Sequence, residues 1–161
     1  MQSFKDKNGK SWDIELNIGT ARKIKSRCDI DIENVVTFNK QNQPQDVSIL
    51  ERLSGDAILL FNVIFAICED QVTTAGMTEE SFAELFNGDA IEAATEALLD
   101  EIINFSRPAK RKVLIQLRQI SKNYSEKAGK ELEKILSDPK FKQEVEKVLT
   151  TSLTNARESL E

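Results

Sequence analysis

A twelve-residue apolar run, Ala57 to Cys68 (AILLFNVIFAIC), constrains the fold of this chain more than any other stretch. Only Asn62 interrupts it, and apolar residues fall on nearly every face that a helix over Ala57 to Ile67 would present. A membrane span needs about 20 such residues. The run is therefore read as the central helix of a bundle, covered by its neighbours all round. Asp56 stands where an N-cap would start that helix, Glu69, Asp70 and Gln71 return the chain to solvent, and Gly76 supplies a C-terminal stop.

The segments before this run must supply part of its cover. Phe4 to Leu16 reads as a β-hairpin, because Asn8-Gly9 offers the positive φ angles of a tight turn. Trp12, Ile14 and Leu16 then alternate with Ser11, Asp13 and Glu15, which makes one face apolar and one wet. A two-stranded hairpin is marginal by itself, so its apolar face is predicted to lie on helices. A first helix is predicted from Ile18 or Gly19 to Arg27, with Ala21, Ile24 and Cys28 on one side and Arg22, Lys23, Lys25 and Arg27 on the other. Asp31 is expected to cap a short helix through Val36, Thr37 to Asp46 with its Pro44 reads as a loop, and Asp46 is expected to cap Val47 to Ser54.

After the central helix, GMTEESFAELFNGDAIEAATEALLDEIINF (Gly76 to Phe105) carries two start signals. Thr78 is read as the cap of a helix presenting Phe82, Leu85 and Phe86. A break follows at Asn87-Gly88, and Asp89 with Glu92 has the D-x-x-E spacing of a capping box. The next helix aligns Ile91, Ala94, Leu98, Ile102 and Phe105, widened by Leu99 and Ile103, and Ser106-Arg107-Pro108 ends it. That break divides the chain into a body, residues 1–107, and a basic helical extension, residues 108–161. Within the extension, helical patterns cover Ala109 to Ser125 and Gly129 to Leu136, and a third opens at Asp138-Pro139. The third places Phe141, Val145, Val148, Leu149, Leu153, Ala156 and Leu160 at three- and four-residue intervals. This approaches a coiled-coil seam for fewer than three heptads, so docking on the body and docking on a second copy both stay open. The fold class is mainly α: a helical bundle with a small N-terminal β-hairpin and a helical C-terminal extension.

The residue types exclude much chemistry. The chain of 161 residues has no histidine, which removes Ser-His-Asp and Cys-His systems and the commonest general base at neutral pH. Cys28 and Cys68 form no C-x-x-C pair, and Cys68 sits in the apolar run as a small hydrophobe, so a reducing cytoplasm is the expected compartment. Asp29-Ile30-Asp31-Ile32 lacks the glycine and terminal glutamate of a calcium loop, and no E-x-x-H element supports a di-iron bundle. Glu79-Glu80 and Asp100-Glu101 are adjacent pairs that diverge by about 100° on a helix and do not converge on one ligand. No catalytic, cofactor-binding or metal-binding residue is expected, and the chain is not expected to be an enzyme. The N-terminus, MQSFKDKNGK, has no apolar h-region, so neither a standard secretion signal nor a membrane role is expected.

Charge is unevenly divided. Residues 1–107 hold 10 Lys and Arg against 19 Asp and Glu, whereas residues 108–161 hold 12 against 8. Opposite signs in the two parts point either to separate partners or to self-association of body and tail. The acidic balance counts against nucleic acid, which requires a concentrated cationic surface. The profile is that of a protein that binds through shaped apolar surface edged with carboxylates. Phe82, Phe86, Leu98, Leu99, Ile102 and Phe105 are the candidate groove or self-association residues, although such stripes more often face a core. Arg107, Lys110, Arg111 and Lys112 are the candidate charged contacts, despite a position at a helix start that the helix dipole disfavours.

The ordered series FKDKNGKSWDIELNIGTARKIK, DIDI, LERLSGDAILLFNVIFAICEDQ and GMTEESFAELFNGDAIEAATEALLDEIINF resembles small proteins of the tail-morphogenesis region of tailed bacteriophages, and is similar to the tail assembly chaperones. The resemblance spans about Phe4 to Phe105 and includes no catalytic signature. It implies a non-enzymatic protein of the infected host cytoplasm that keeps the long helical tape measure protein soluble and recruits tail-tube protein to it. Some members carry an extension, made by programmed frameshifting, that engages tube protein. The alternative is a virion structural subunit of the neck, head–tail junction or tail. A homo-oligomer is one further option, and the sequence leaves the oligomeric state open.

Overall fold

The computed structural model describes residues 1–41 and 43–158, with side chains described as far as residue 152. About 71% of it is helical, which establishes the mainly α class with an N-terminal hairpin. The chain gathers into two compact units, Met1–Ile115 and Gln116–Glu161. The division falls after Ile115 rather than at Arg107, because Leu114 is buried with the body and Lys110 and Arg111 are bound to it.

In the first unit, β1 (Gln2–Lys5) pairs antiparallel with β2 (Ser11–Ile14), placing Phe4 opposite Trp12. Phe4, Trp12, Ile14 and Leu16 are all buried, as their alternation predicts. The connection differs from the expected tight turn. Among the described residues of the loop only Gly9 has positive φ (82°), and the organiser is Asp6. One oxygen of Asp6 accepts the backbone N–H of Asn8 (2.8 Å) and Lys10 (3.1 Å), and the other accepts the indole N–H of Trp12 (2.8 Å). A single buried carboxylate therefore closes the turn and fixes the tryptophan.

Helix α1 (Ile18–Cys28) follows, started by an Asn17/Thr20 capping box and ended by Asp29 in the left-handed region (φ 53°). A single 3-10 turn, Ile32–Asn34, takes the place of the expected helix through Val36; Asp31 caps it. The expected loop at Thr37 to Asp46 contains a minimal ladder, β3 (Thr37–Phe38) against β4 (Pro44–Asp46). Helix α2 (Ser48–Gly55) leads to α3 (Ala57–Thr74), whose cap Asp56 accepts the N–H of Ile58 and Leu59. At 18 residues α3 is, by length and composition alone, long and apolar enough to cross a membrane. Here Leu60, Val63, Ile64, Ala66, Ile67 and Cys68 are packed inside the body, with α1 and β2 on this helix.

Helix α4 (Glu79–Ala83) begins at Thr78, and α5 (Gly88–Phe105) begins at Asn87, whose side chain accepts the Ala90 N–H. The expected Asp89 box is displaced by this earlier cap, which leaves Asp89 as an acid in the first turn. Strand β1 packs on α5, where the buried Glu101 accepts the Leu16 N–H and lies 3.1 Å from the Met1 ammonium. Glu101 Oε2, the oxygen in that second contact, has the ion pair and no hydrogen-bond partner.

Helix α6 (Pro108–Ser137) is one continuous element; Gly129 lies within it and does not divide it as expected. Asp138-Pro139 opens α7 (Pro139–Glu158) where the sequence places it, with Asp138 accepting the Lys140 N–H at 2.9 Å. In the second unit Ile120, Tyr124, Leu132, Phe141, Val145 and Val148 all stay open to solvent. The seam positions Leu153 and Ala156 lie beyond the described side chains, and Leu160 lies outside the described residues.

Candidate functional site

The body is organised around a ring cluster. Phe82, fully buried on α4, meets Trp12 edge-on at 4.7 Å and lies 5.2 Å from Phe86, 5.8 Å from Phe61 and 6.2 Å from Phe65. Phe86 also meets Phe4 at 5.5 Å and Phe61 at 5.3 Å. The Lys7 N–H bonds to the Leu85 carbonyl (3.1 Å) and ties the hairpin loop to the turn after α4. Phe82 and Trp12 are therefore core, and the rings outside them (Phe61, Phe65 and Phe86) are half-buried.

These outer rings mark a face of α3 that its neighbours leave uncovered. Ile58, Phe61 and Phe65 follow at i, i+3 and i+7, one side of a helix, and Ile58 is 76% exposed. The sequence expectation of cover all round is corrected here, because composition records how greasy a helix is and not how many neighbours reach it. Beside Phe65 a shallow groove of about 490 Å³ is lined by Arg27, Asn62, Phe65, Glu69 and Glu79. Arg27 pairs with Glu69 and its guanidinium lies 5.5 Å from the Phe65 ring centre. Lys23 reaches Glu69 (3.4 Å) and Asp70 (3.5 Å). The Arg27 hydrogen bond holds the Glu69 carboxyl below its ordinary range, against the upward pull of partial burial, and Lys23 adds to the effect. An apolar strip with an aromatic floor and a charged edge can hold another apolar stripe and orient it.

The predicted site residues separate under this geometry. Phe82, Leu98 and Ile102 are sealed in the core, which is their ordinary-core reading: Phe82 by the rings around it, and Leu98 and Ile102 on α5, which packs on β1 and α3. Phe86, Leu99 and Phe105 are half-buried, but only Phe86 joins the open face of α3 through Phe61. Arg111 spans the carbonyls of Ile103 (3.2 Å), Asn104 (2.7 Å) and Ser106 (3.1 Å), the unpaired end of α5. Lys110 donates to Asn34 (2.6 Å) and to the Glu33 carbonyl (3.2 Å). The apparent conflict between these cations and the start of α6 is thereby resolved, because they serve the C-terminus of the preceding helix. Arg107 and Lys112 are exposed. Ile58, Phe61 and Phe65 were absent from the sequence-based set, and only the aromatic pair at i, i+4 on a helix otherwise aliphatic could have signalled them.

Burial pushes the Cys68 thiol up to about 12, with the nearby Asp13 adding to it, so this cysteine stays protonated and inert at neutral pH. Among the described residues no group of three His, Cys, Asp or Glu side chains could hold a metal ion. Compared with known proteins, the chain matches no family, no curated protein and no solved structure.

Proposed function

We propose that this protein is a non-enzymatic assembly chaperone of the tailed-phage tail type, which keeps an elongated helical partner soluble in the host cytoplasm. The observation that carries the reading is the open face of α3: Ile58, Phe61 and Phe65, joined by Phe86 and edged by Glu69 and Glu79. An amphipathic helix laid in such a strip contributes i, i+3 and i+7 anchors, and this is how helix-in-groove recognition works. Residues 1–115 hold 13 Lys and Arg against 19 Asp and Glu, so the favoured guest has basic flanks and the complex keeps a net charge that favours solubility. The resemblance of Phe4 to Phe105 to tail assembly chaperones names the guest as the tape measure protein, with tail-tube protein as the subunit recruited to it.

Co-expression tests this directly. A tape measure protein co-expressed with the wild-type chain should shift to the soluble fraction and lose most of that shift with Ile58→Glu, which adds charge at an exposed position without touching the core. A tape measure protein equally insoluble with and without the chain would remove the chaperone reading. Recovery of the chain at fixed stoichiometry in purified virions would instead make it a structural subunit of the neck, head–tail junction or tail.

A further inference from the structure

We infer that the second unit is a self-association module, in which the apolar stripes of α6 and α7 are covered by the same helices of a second copy. Nine large apolar side chains from Ile120 to Leu149 stay substantially open, against four in the whole of Met1–Ile115. Val148 is 65% exposed and Tyr124 71%. Beside Tyr124 a groove of about 340 Å³ is lined by Ile120, Asn123 and Lys127. No residue from Gln116 to Ser152 is fully buried, so these helices have no core of their own. Helices in water are marginal without an apolar face packed on something, so a covering surface is needed. Nine such side chains, each about half open, offer apolar area on the scale of the ~800 Å² that each partner of a specific interface buries.

Charge selects the occupant. Residues 116–161 hold 9 Lys and Arg against 8 Asp and Glu, a net of +1, with the signs interleaved along both helices. Two copies of this module meet without net repulsion, whereas residues 1–115, at a net of -6, repel their own kind. A nucleic acid, an anionic membrane or a strongly charged protein would call for a surface of one sign, and this one has none. The stripe also has the three- and four-residue intervals of a self-matching seam: Ile120, Tyr124, then Leu132, Ile135 on α6, and Phe141, Val145, Val148 on α7. The inference stands apart from the guest proposed for the α3 face, because it concerns the chain alone and different residues.

Sedimentation equilibrium of the full chain, with no partner present, tests it. The wild type should have at least twice the 18.2 kDa monomer mass at micromolar concentration. Val148→Lys and Leu132→Lys place a good helix former at exposed positions and should raise the dissociation constant at least ~10-fold. Trp12 fluorescence, which reports the body, should be unchanged in both variants. A wild type that sediments at the monomer mass throughout would overturn the inference. Assembly that survives both Lys variants, or that Ile58→Glu abolishes instead, would overturn it equally, since the contact would then lie on the body.

Discussion

The two units are held together by different physics. In Met1–Ile115 a single buried ring, Phe82, touches four other aromatic side chains, while buried Asp6 closes the hairpin turn and buried Glu101 accepts the Leu16 N–H. From Gln116 onward the same chain continues α6 and forms α7, helices of 30 and 20 residues over their full extent, and nine of their described apolar side chains between Ile120 and Leu149 stay open to solvent. A stripe of apolar residues is thus core in one place and open to solvent in the other, and what decides is whether another element arrives to cover it. The open face of α3 is the intermediate case: one helix buried on most sides and uncovered on one.

The contrast can be broken by substitution, and the largest effect should come from the hub. Phe82→Ala should destabilise the body by about 3–5 kcal/mol, because it removes a fully enclosed ring and leaves a cavity. Leu132→Ala should move the same urea transition, read by the single Trp12, by less than about 0.5 kcal/mol. Equal effects from both would erase the distinction between the units.

Asp6 comes next. Burial alone would raise its carboxyl; the Trp12 indole, the Asn8 and Lys10 N–H groups and the Lys10 charge together outweigh this and hold it below the ordinary range. Its folded value thus lies below its unfolded one, so its contribution is complete above the unfolded value of about 3.9 and is lost as pH falls through the folded value. Asp6→Asn keeps the shape but turns an acceptor facing the Trp12 indole into a donor or costs the turn its bonds. At pH 7 it should cost about 2 kcal/mol. The gap between wild type and variant should narrow when the urea midpoints are measured again near pH 3. A gap of the same size at both pH values would assign the loss to something other than the carboxylate.

Smaller effects sharpen the boundary. Arg111→Met should lower body stability by about 1 kcal/mol by stripping the end of α5 of its donors, while Lys112→Met, one residue on, should leave it unchanged. Gly129→Ala should raise the helicity of the second unit and stabilise it by about 0.5–1 kcal/mol, since an added Cβ meets nothing within 4 Å. Circular dichroism at 222 nm during a thermal melt reads that gain, and a fall in helicity would show that the glycine is required.

Much of the architecture was legible in the sequence because local rules and the fold agreed. The alternation of Trp12, Ile14 and Leu16 gave the buried hairpin face, and Asp56, Thr78 and Asp138-Pro139 gave helix starts. The failures share a cause, which is that they depend on what another part of the chain does. Asp6 looks like any surface acid until the Trp12 indole turns back onto it. Arg111 looks like the start of a basic patch until the carbonyls of α5 arrive beside it, although a cation just past a helix end was a usable signal. Gly129 has the composition of a breaker, yet one glycine costs too little to divide a thirty-residue helix. For the candidate site, periodicity identified apolar stripes correctly and could not say which would be left open, so Phe82, Leu98 and Ile102 were grouped with residues that do reach solvent.

The central claim, that the α3 face is the working surface, is tested most directly by hydroxyl-radical footprinting with and without a tape measure segment. Ile58, Phe61, Phe65 and Phe86 should lose reactivity on complex formation while Ile18, exposed on α1, keeps its own. Unchanged reactivity at those four side chains, with protection appearing only at residues such as Phe141 and Val148, would contradict the account.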